Sequence, residues 1–158
     1  MADTRIKKHQ YAVYLADNTG KWVRVEKATD FTRSMNPETE ERDYIADEHP
    51  TTVITDYKPS EGLTIDAYKG NADFELFYSM YKTLATGTDA ERNLLLVSKF
   101  DKNDDGSYYA EKCSSTVAVD EFNASEGQMS VTIYENGTKT IGTVTFTDGE
   151  PVFTADEE

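Results

Sequence analysis

Met129-Ser130-Val131-Thr132-Ile133-Tyr134-Glu135-Asn136-Gly137, continued by Thr143-Val144-Thr145-Phe146-Thr147, decides the fold class. Met129, Val131 and Ile133 alternate with Ser130, Thr132 and Tyr134, the period of a strand with one buried face. Val144 and Phe146 alternate with three threonines in the same way. Asn136 and Gly137 both tolerate positive φ, so the pair predicts a hairpin turn joining two strands.

The same grammar extends outward. Tyr11, Val13 and Leu15 alternate with Ala12 and Tyr14, Asp17-Asn18-Thr19-Gly20 supplies turn chemistry, and Trp22 to Glu26 resumes period 2. Further strands are expected around 51–57, 62–68, 93–100 and 108–121. One segment breaks the pattern. Asn71 is placed to cap a helix, with Asp73 and Glu75 in its first turn. Phe74, Phe77, Tyr78, Tyr81 and Leu84 then follow at helical spacing, and Gly87 is positioned to end it. The aromatic face is expected to pack on the sheet as core. The expected class is therefore mainly β, a sandwich or barrel, with one flanking α-helix and a long charged loop.

Length and charge narrow the function. The chain has 158 residues and a net charge of −14, from 30 acids and 16 bases. That length suits one domain over 1–158. The charge argues against tight binding to duplex DNA or an anionic membrane, because gripping phosphate needs a basic face. Eighteen aromatics are too many for a disordered acidic segment. A single cysteine, Cys113, permits no internal disulfide, and with no apolar stretch behind the basic start a reducing cytoplasm is the expected place of synthesis.

Charge is uneven. Residues 30–50 hold seven acids and two bases without apolar periodicity, and Pro37 and Pro50 interrupt any helix. Such a stretch reads as a long functional loop in which Tyr44 and Ile45 suit a partner contact. Residues 148–158 form an acidic tail with net charge −5, and 1–9 a basic arm.

Chemistry finds few candidates. Asp101, Asn103 and Asp105, with Gly106, match the first half of an EF-hand loop. Lys112 stands where the closing acid belongs, and both flanks read as strands. The loop is a weak candidate for calcium and a good one for a turn. His9 and His49 read as exposed, and Cys113 as a structural thiol. No catalytic residue, metal site or cofactor is nominated. A β-sandwich binding or adhesin module, calcium-dependent through that loop, is the alternative function.

Residues 29–70 carry a resemblance. Asn36-Pro37-Glu38-Thr39-Glu40-Glu41-Arg42-Asp43-Tyr44-Ile45-Ala46-Asp47-Glu48 precedes Thr51-Thr52-Val53, Tyr57-Lys58-Pro59-Ser60 and Tyr68-Lys69-Gly70-Asn71. This order resembles the tail tube (major tail) proteins of tailed bacteriophages and of related phage-like particles. The resemblance implies a virion structural protein that is not an enzyme, assembled in the host cytoplasm. Homo-hexameric rings would stack into a tube through which DNA passes without being held. Partners would be other copies, the tape measure, the baseplate or tip and the terminator, with no membrane. The assembly loop would map onto Asn36, Pro37, Glu38, Glu40, Glu41, Arg42, Asp43, Tyr44, Ile45, Asp47 and Glu48. The helix would map onto 71–86. Candidate inter-ring arms are Arg5, Lys7 and Lys8 at one end and Asp156, Glu157 and Glu158 at the other. Lumen acids are expected on the last two strands or their connections.

Overall fold

A computed structural model describes residues 3–156, apart from the side chain of Lys8. Strands β1 (Tyr11–Ala16), β2 (Trp22–Arg24), β3 (Ala28–Ser34), β4 (Pro37–Arg42), β5 (Thr51–Tyr57) and β6 (Ser60–Asp66) precede the helix α1 (Ala72–Thr83). Strands β7 (Glu91–Lys102), β8 (Tyr108–Asn123), β9 (Gln128–Thr147) and β10 (Glu150–Ala155) follow it. Eight of them form one sheet in the order β2-β1-β7-β8-β9-β6-β3, with β10 added on β9. The remaining two, β4 and β5, pair only with each other.

The large sheet curls into a half-barrel, bringing β1 toward β3. The ring of Tyr11 on β1 lies 5.8 Å from that of Phe31 on β3. Inside the curl sit Leu15, Ile65, Leu94, Met129 and Ile133, all fully buried. Phe74, Phe77 and Met80 of α1 close the core. A smaller cluster lies on the outer face, where Ala12, Tyr14, Leu95, Val97, Ala110 and Val144 pack beneath Trp22, Tyr108, Phe146 and Phe153. The run Leu94-Leu95-Leu96-Val97 is apolar throughout because its two faces belong to different clusters.

The expected hairpin at Asn136-Gly137 does not form. β9 is one strand of 20 residues, and β8 follows it from Tyr108↔Val144 to Asn123↔Gln128. Between the pairs Lys112↔Thr140 and Ser114↔Asn136, residues 137–139 oppose Cys113 alone. This is a bulge, and Gly137 at φ 66° supplies its left-handed step. It divides β9 into a half that pairs with β6 and a half that pairs with β10. Of the Asn-Gly pair only Gly137 takes positive φ, and it serves a bulge rather than a chain reversal.

Three further expectations change. The helix ends at Leu84, which adopts φ 51°, while Gly87 opens a short 3-10 turn over Gly87–Ala90. Asn71 does not cap through its side chain, whose amide donates instead to Asp73. Buried Asp73 accepts from the Glu26 and Lys27 amides at 3.1 and 3.0 Å, tying the helix start to the β2–β3 connection. The acidic tail is largely strand, since Glu150–Ala155 pairs with β9.

Residues 30–50 are likewise not one loop. They complete β3, form β4 and leave 43–50 as the only irregular stretch beyond the Met35-Asn36 step. With β5, β4 makes a two-stranded arm in which every residue is exposed. Both faces meet water, so no apolar period existed to reveal the strand.

Candidate functional site

The arm begins at a defined hinge. Asn36 takes φ 46°, and its side-chain amide donates to the Lys58 carbonyl and to Ser60 Oγ, each at 3.1 Å. The Lys58 amide donates to the Met35 carbonyl at 3.2 Å, so the two chains leave the body side by side. Lys58 pairs with Glu38 at 2.6 Å and Arg42 with Glu40 at 3.1 Å. Exposed pairs of this kind add little stability. A lone two-stranded hairpin is marginal in water, and this one leaves Tyr44, Ile45, Val53 and Ile54 uncovered.

The nominated assembly residues therefore share one projection. Asn36 and Pro37 stand at its root, Glu38, Glu40, Glu41 and Arg42 on β4, and Asp43, Tyr44, Ile45, Asp47 and Glu48 at the tip. The nominated terminal arms are not gathered there by any ion pair among the described residues. Arg5 and Lys7 are exposed, and the Asp156 amide donates to the Ile141 carbonyl at 3.0 Å, extending the β10 pairing. Glu157, Glu158 and the Lys8 side chain lie outside the described residues.

Behind the hinge lies a buried charge cluster that no motif announced. Arg33 donates from Nε and Nη2 to the two oxygens of Glu135, both at 2.9 Å, and from Nη1 to Glu111 at 2.8 Å. Glu111 also accepts from Lys139 at 2.7 Å and Tyr109 at 2.8 Å. Glu61 is fully buried, 3.4 Å from Arg33 Nε, and its oxygens have no conventional donor. Burial, followed by the bond and charge of Glu135, raises its pKa to about 9. Burial and the neighbouring Glu135 thus favour the protonated form of Glu61 at neutral pH. Burial alone would raise Glu111 and Glu135 too. The bonds from Lys139 and Tyr109 outweigh it at Glu111, and those from Glu61 and Arg33 outweigh it at Glu135, leaving both below the usual range. Arg33 is held charged by these same partners. Burial also lifts the Cys113 thiol to about 12, with Glu135 and Glu61 adding to it, so Cys113 is an unreactive thiol.

The signal for this cluster was parity. Glu61 continues the inward phase of Leu63 and Ile65, Glu135 that of Met129, Val131 and Ile133, and Arg33 that of Phe31. An ionisable residue in an apolar phase is either a strand end or a buried charge.

The outer face of the sheet divides into two sectors. Across β3, β6 and the first half of β9, the outward phase carries Asp30, Thr32, Ser34, Ser60, Gly62, Thr64 and Asp66, then Gln128, Ser130, Thr132 and Tyr134. It bears hydroxyls and a few carboxylates and no base. Asp120 of β8, bonded to Thr132, adds one more acid at its border. Bases gather on the other sector, where Arg24, Lys99 and Lys112 stand over the aromatic cluster.

The EF-hand-like loop is occupied by its own turn. Asp105 Oδ1 accepts from the amide and hydroxyl of Ser107 at 3.0 and 2.6 Å. Asn103 donates to Ser107 Oγ at 3.1 Å, and Gly106 takes φ 91°. Of the oxygens that the calcium reading assigned to a cation, Asp105 Oδ1 makes turn bonds instead, and Asn103 turns its amide nitrogen to Ser107.

No protein-family profile matches the chain. No curated protein matches it in sequence. Solved structures do match, over nearly the whole chain. The SPP1 tail tube aligns with 87% of this chain and 78% of its own, at TM-score 0.62 and 11% identity. The tail of an empty gene transfer agent particle, computed with C6 symmetry, aligns with 86% and 98% at TM-score 0.58 and 10% identity. The tube-terminating cap of the anti-feeding prophage aligns with 90% and 94% at TM-score 0.54 and 17% identity. At these identities the likeness speaks for backbone architecture, and in architecture the chain has the fold of phage and phage-like tail tube and tube-terminating proteins.

Proposed function

We propose that this chain is a structural subunit of a phage or phage-like tail tube. Six copies close into a ring, and rings stack into a hollow conduit for the genome. The observation that carries this reading is the match across 86–90% of this chain and 78–98% of the similar chains, in tubes and tube terminators of several particle types. The six-fold ring is supported by the C6 symmetry of one such tail. The exposed arm is a second support, because a hairpin left uncovered by the described residues of its own chain is suited to a neighbour. Contacts with terminator, sheath or baseplate proteins follow from the assemblies in which the similar chains sit, and a tape-measure protein and passing DNA belong to the same proposal. The location is the tail of the particle, after assembly in the host cytoplasm.

The lumen wall we assign to the base-free sector of β3, β6 and β9. Hydroxyls there offer DNA no fixed counter-charge, and Asp30 and Asp66 repel phosphate over a Debye length of about 8 Å at physiological salt. Where acids of the last two strands or their connections were expected at the lumen, this proposal puts the wall on β3, β6 and the first half of β9. Electron microscopy of the purified protein, with a tail-initiating complex added, tests the reading. Hollow tubes of uniform width are expected. Persistent monomers at high concentration with the initiator present would contradict it.

A further inference from the structure

The arm carries charge that no described residue of its own chain answers. Glu41, Asp43, Asp47 and Glu48 make no ion pair among the described residues. Between them Tyr44 is 57% and Ile45 107% exposed. The second outer sector has the opposite chemistry. Arg24, Tyr14, Leu95 and Lys112 are successive partners in one row across β2, β1, β7 and β8. Strand spacing puts Arg24 and Lys112 about 14 Å apart, and Lys99 stands about 13 Å along β7 from that row. Lys99 Nζ is 4.8 Å from the centre of the Phe146 ring, and Lys112 Nζ is 5.8 Å from Trp22 and 6.0 Å from Phe153. Both ammonium groups lie over rings, and none of the three bases pairs with a described acid. Burial and the nearby charge of Arg24 hold the Lys99 pKa below its ordinary value, the mark of a positive group short of counter-charge. Glu26 and Glu150 border this surface near Tyr14 without pairing to it.

We propose that the sector formed by Arg24, Lys99, Lys112, Trp22 and Phe153 receives the acidic arm tip of a second copy of this chain. Four unpaired carboxylates meet three unpaired bases, and Tyr44 and Ile45 lay apolar surface against Trp22 and Phe153. Charge sets the register, and burial of the tip supplies the packing that the arm lacks alone. The contact is heterologous: the arm of one copy meets the sheet of the next, and repetition of such a contact generates a ring or a helix. The inference rests on the tube reading for its setting, but its chemistry stands on these two surfaces.

Disulfide trapping tests it. Chains carrying Ile45→Cys are mixed with chains carrying Trp22→Cys under mild oxidation, the buried Cys113 staying inert. Mixed dimers should exceed either homodimer about tenfold, and the excess should vanish at 1 M salt, where screening shortens to about 3 Å. A second arm guards against misfolded variants. The set Arg24→Glu, Lys99→Glu, Lys112→Glu and the set Glu41→Lys, Asp43→Lys, Asp47→Lys, Glu48→Lys should each raise the concentration needed for tubes about tenfold, near 1.4 kcal/mol. Combining the two sets should restore it. Equal rates of mixed and homodimer formation, or a combined variant no better than either set, would overturn the docking. So would an oligonucleotide that the natural chain retains and the Arg24/Lys99/Lys112 set releases with assembly unchanged. Preferential trapping without tubes counts against the tube reading alone, and tubes without preferential trapping count against the docking alone.

Discussion

Glu61 concentrates the residue-scale physics. Its carboxyl carries a pKa of about 9 in the fold against an ordinary 4.5, so between those values the native chain keeps a proton that the unfolded chain has released. Stability from this group is complete below the ordinary value and declines as pH rises toward 9. Glu111 and Glu135 are shifted down, so their contribution is present above 4.5 and fades as pH falls. The natural chain should therefore be most heat-stable in mildly acidic buffer. Glu61→Gln should flatten the loss between pH 5 and pH 9 and raise Tm at the alkaline end. An unchanged slope in calorimetry would refute the protonated assignment. Arg33→Ala removes both guanidinium bonds to Glu135 and one of three bonds to Glu111, leaving Glu135 short of counter-charge in a buried setting, and should cost about 3–5 kcal/mol in chemical denaturation. Gly142 answers to geometry, because a methyl there would overlap the Thr154 carbonyl and the Phe153 ring. Gly142→Ala should cost about 1–3 kcal/mol, with amide exchange increasing first in β10.

At the scale of elements, legibility followed burial. Strands are expected near β1, β2, β5, β6, β7 and β8, and all of these but β5 carry apolar residues that face a core. α1 was visible because Phe74, Phe77 and Tyr78 recur on one face, although Tyr81 and Leu84 prove exposed. β4 was illegible because neither of its faces meets apolar surface. The bulge was misread because positive φ at Gly137 serves a bend as well as a turn, and only the long-range pairing of β8 distinguishes them. Ion pairing between strands far apart in sequence hid the buried cluster in the same way. The arm assignment makes an element-scale prediction. Replacing 37–57 with a short Gly-Ser turn should leave Tm within about 3 °C, since Asn36 and Lys58 are already adjacent. Tube formation should be lost. Removing only 36–48 would strand β5 and is the poorer variant. A large fall in Tm on excising the whole arm would show that it supports the body.

For the whole molecule, the net charge of −14 is less informative than its distribution. Acids crowd the arm and the C-terminal end, bases collect over the aromatic sector, and the assigned lumen wall carries hydroxyls. Thr32→Lys with Tyr134→Lys should therefore leave tail length unchanged and reduce DNA delivery by about tenfold, more severely at low salt. Undiminished delivery would move the wall elsewhere. End-on cryo-electron microscopy of particles assembled from the chain decides whether the proposed six-fold hollow tube forms. Six-fold rotational symmetry is expected around an open channel faced by Thr32, Thr64, Ser130 and Thr132. A solid filament, an open sheet, or a channel faced by Arg24, Lys99 and Lys112 would contradict it.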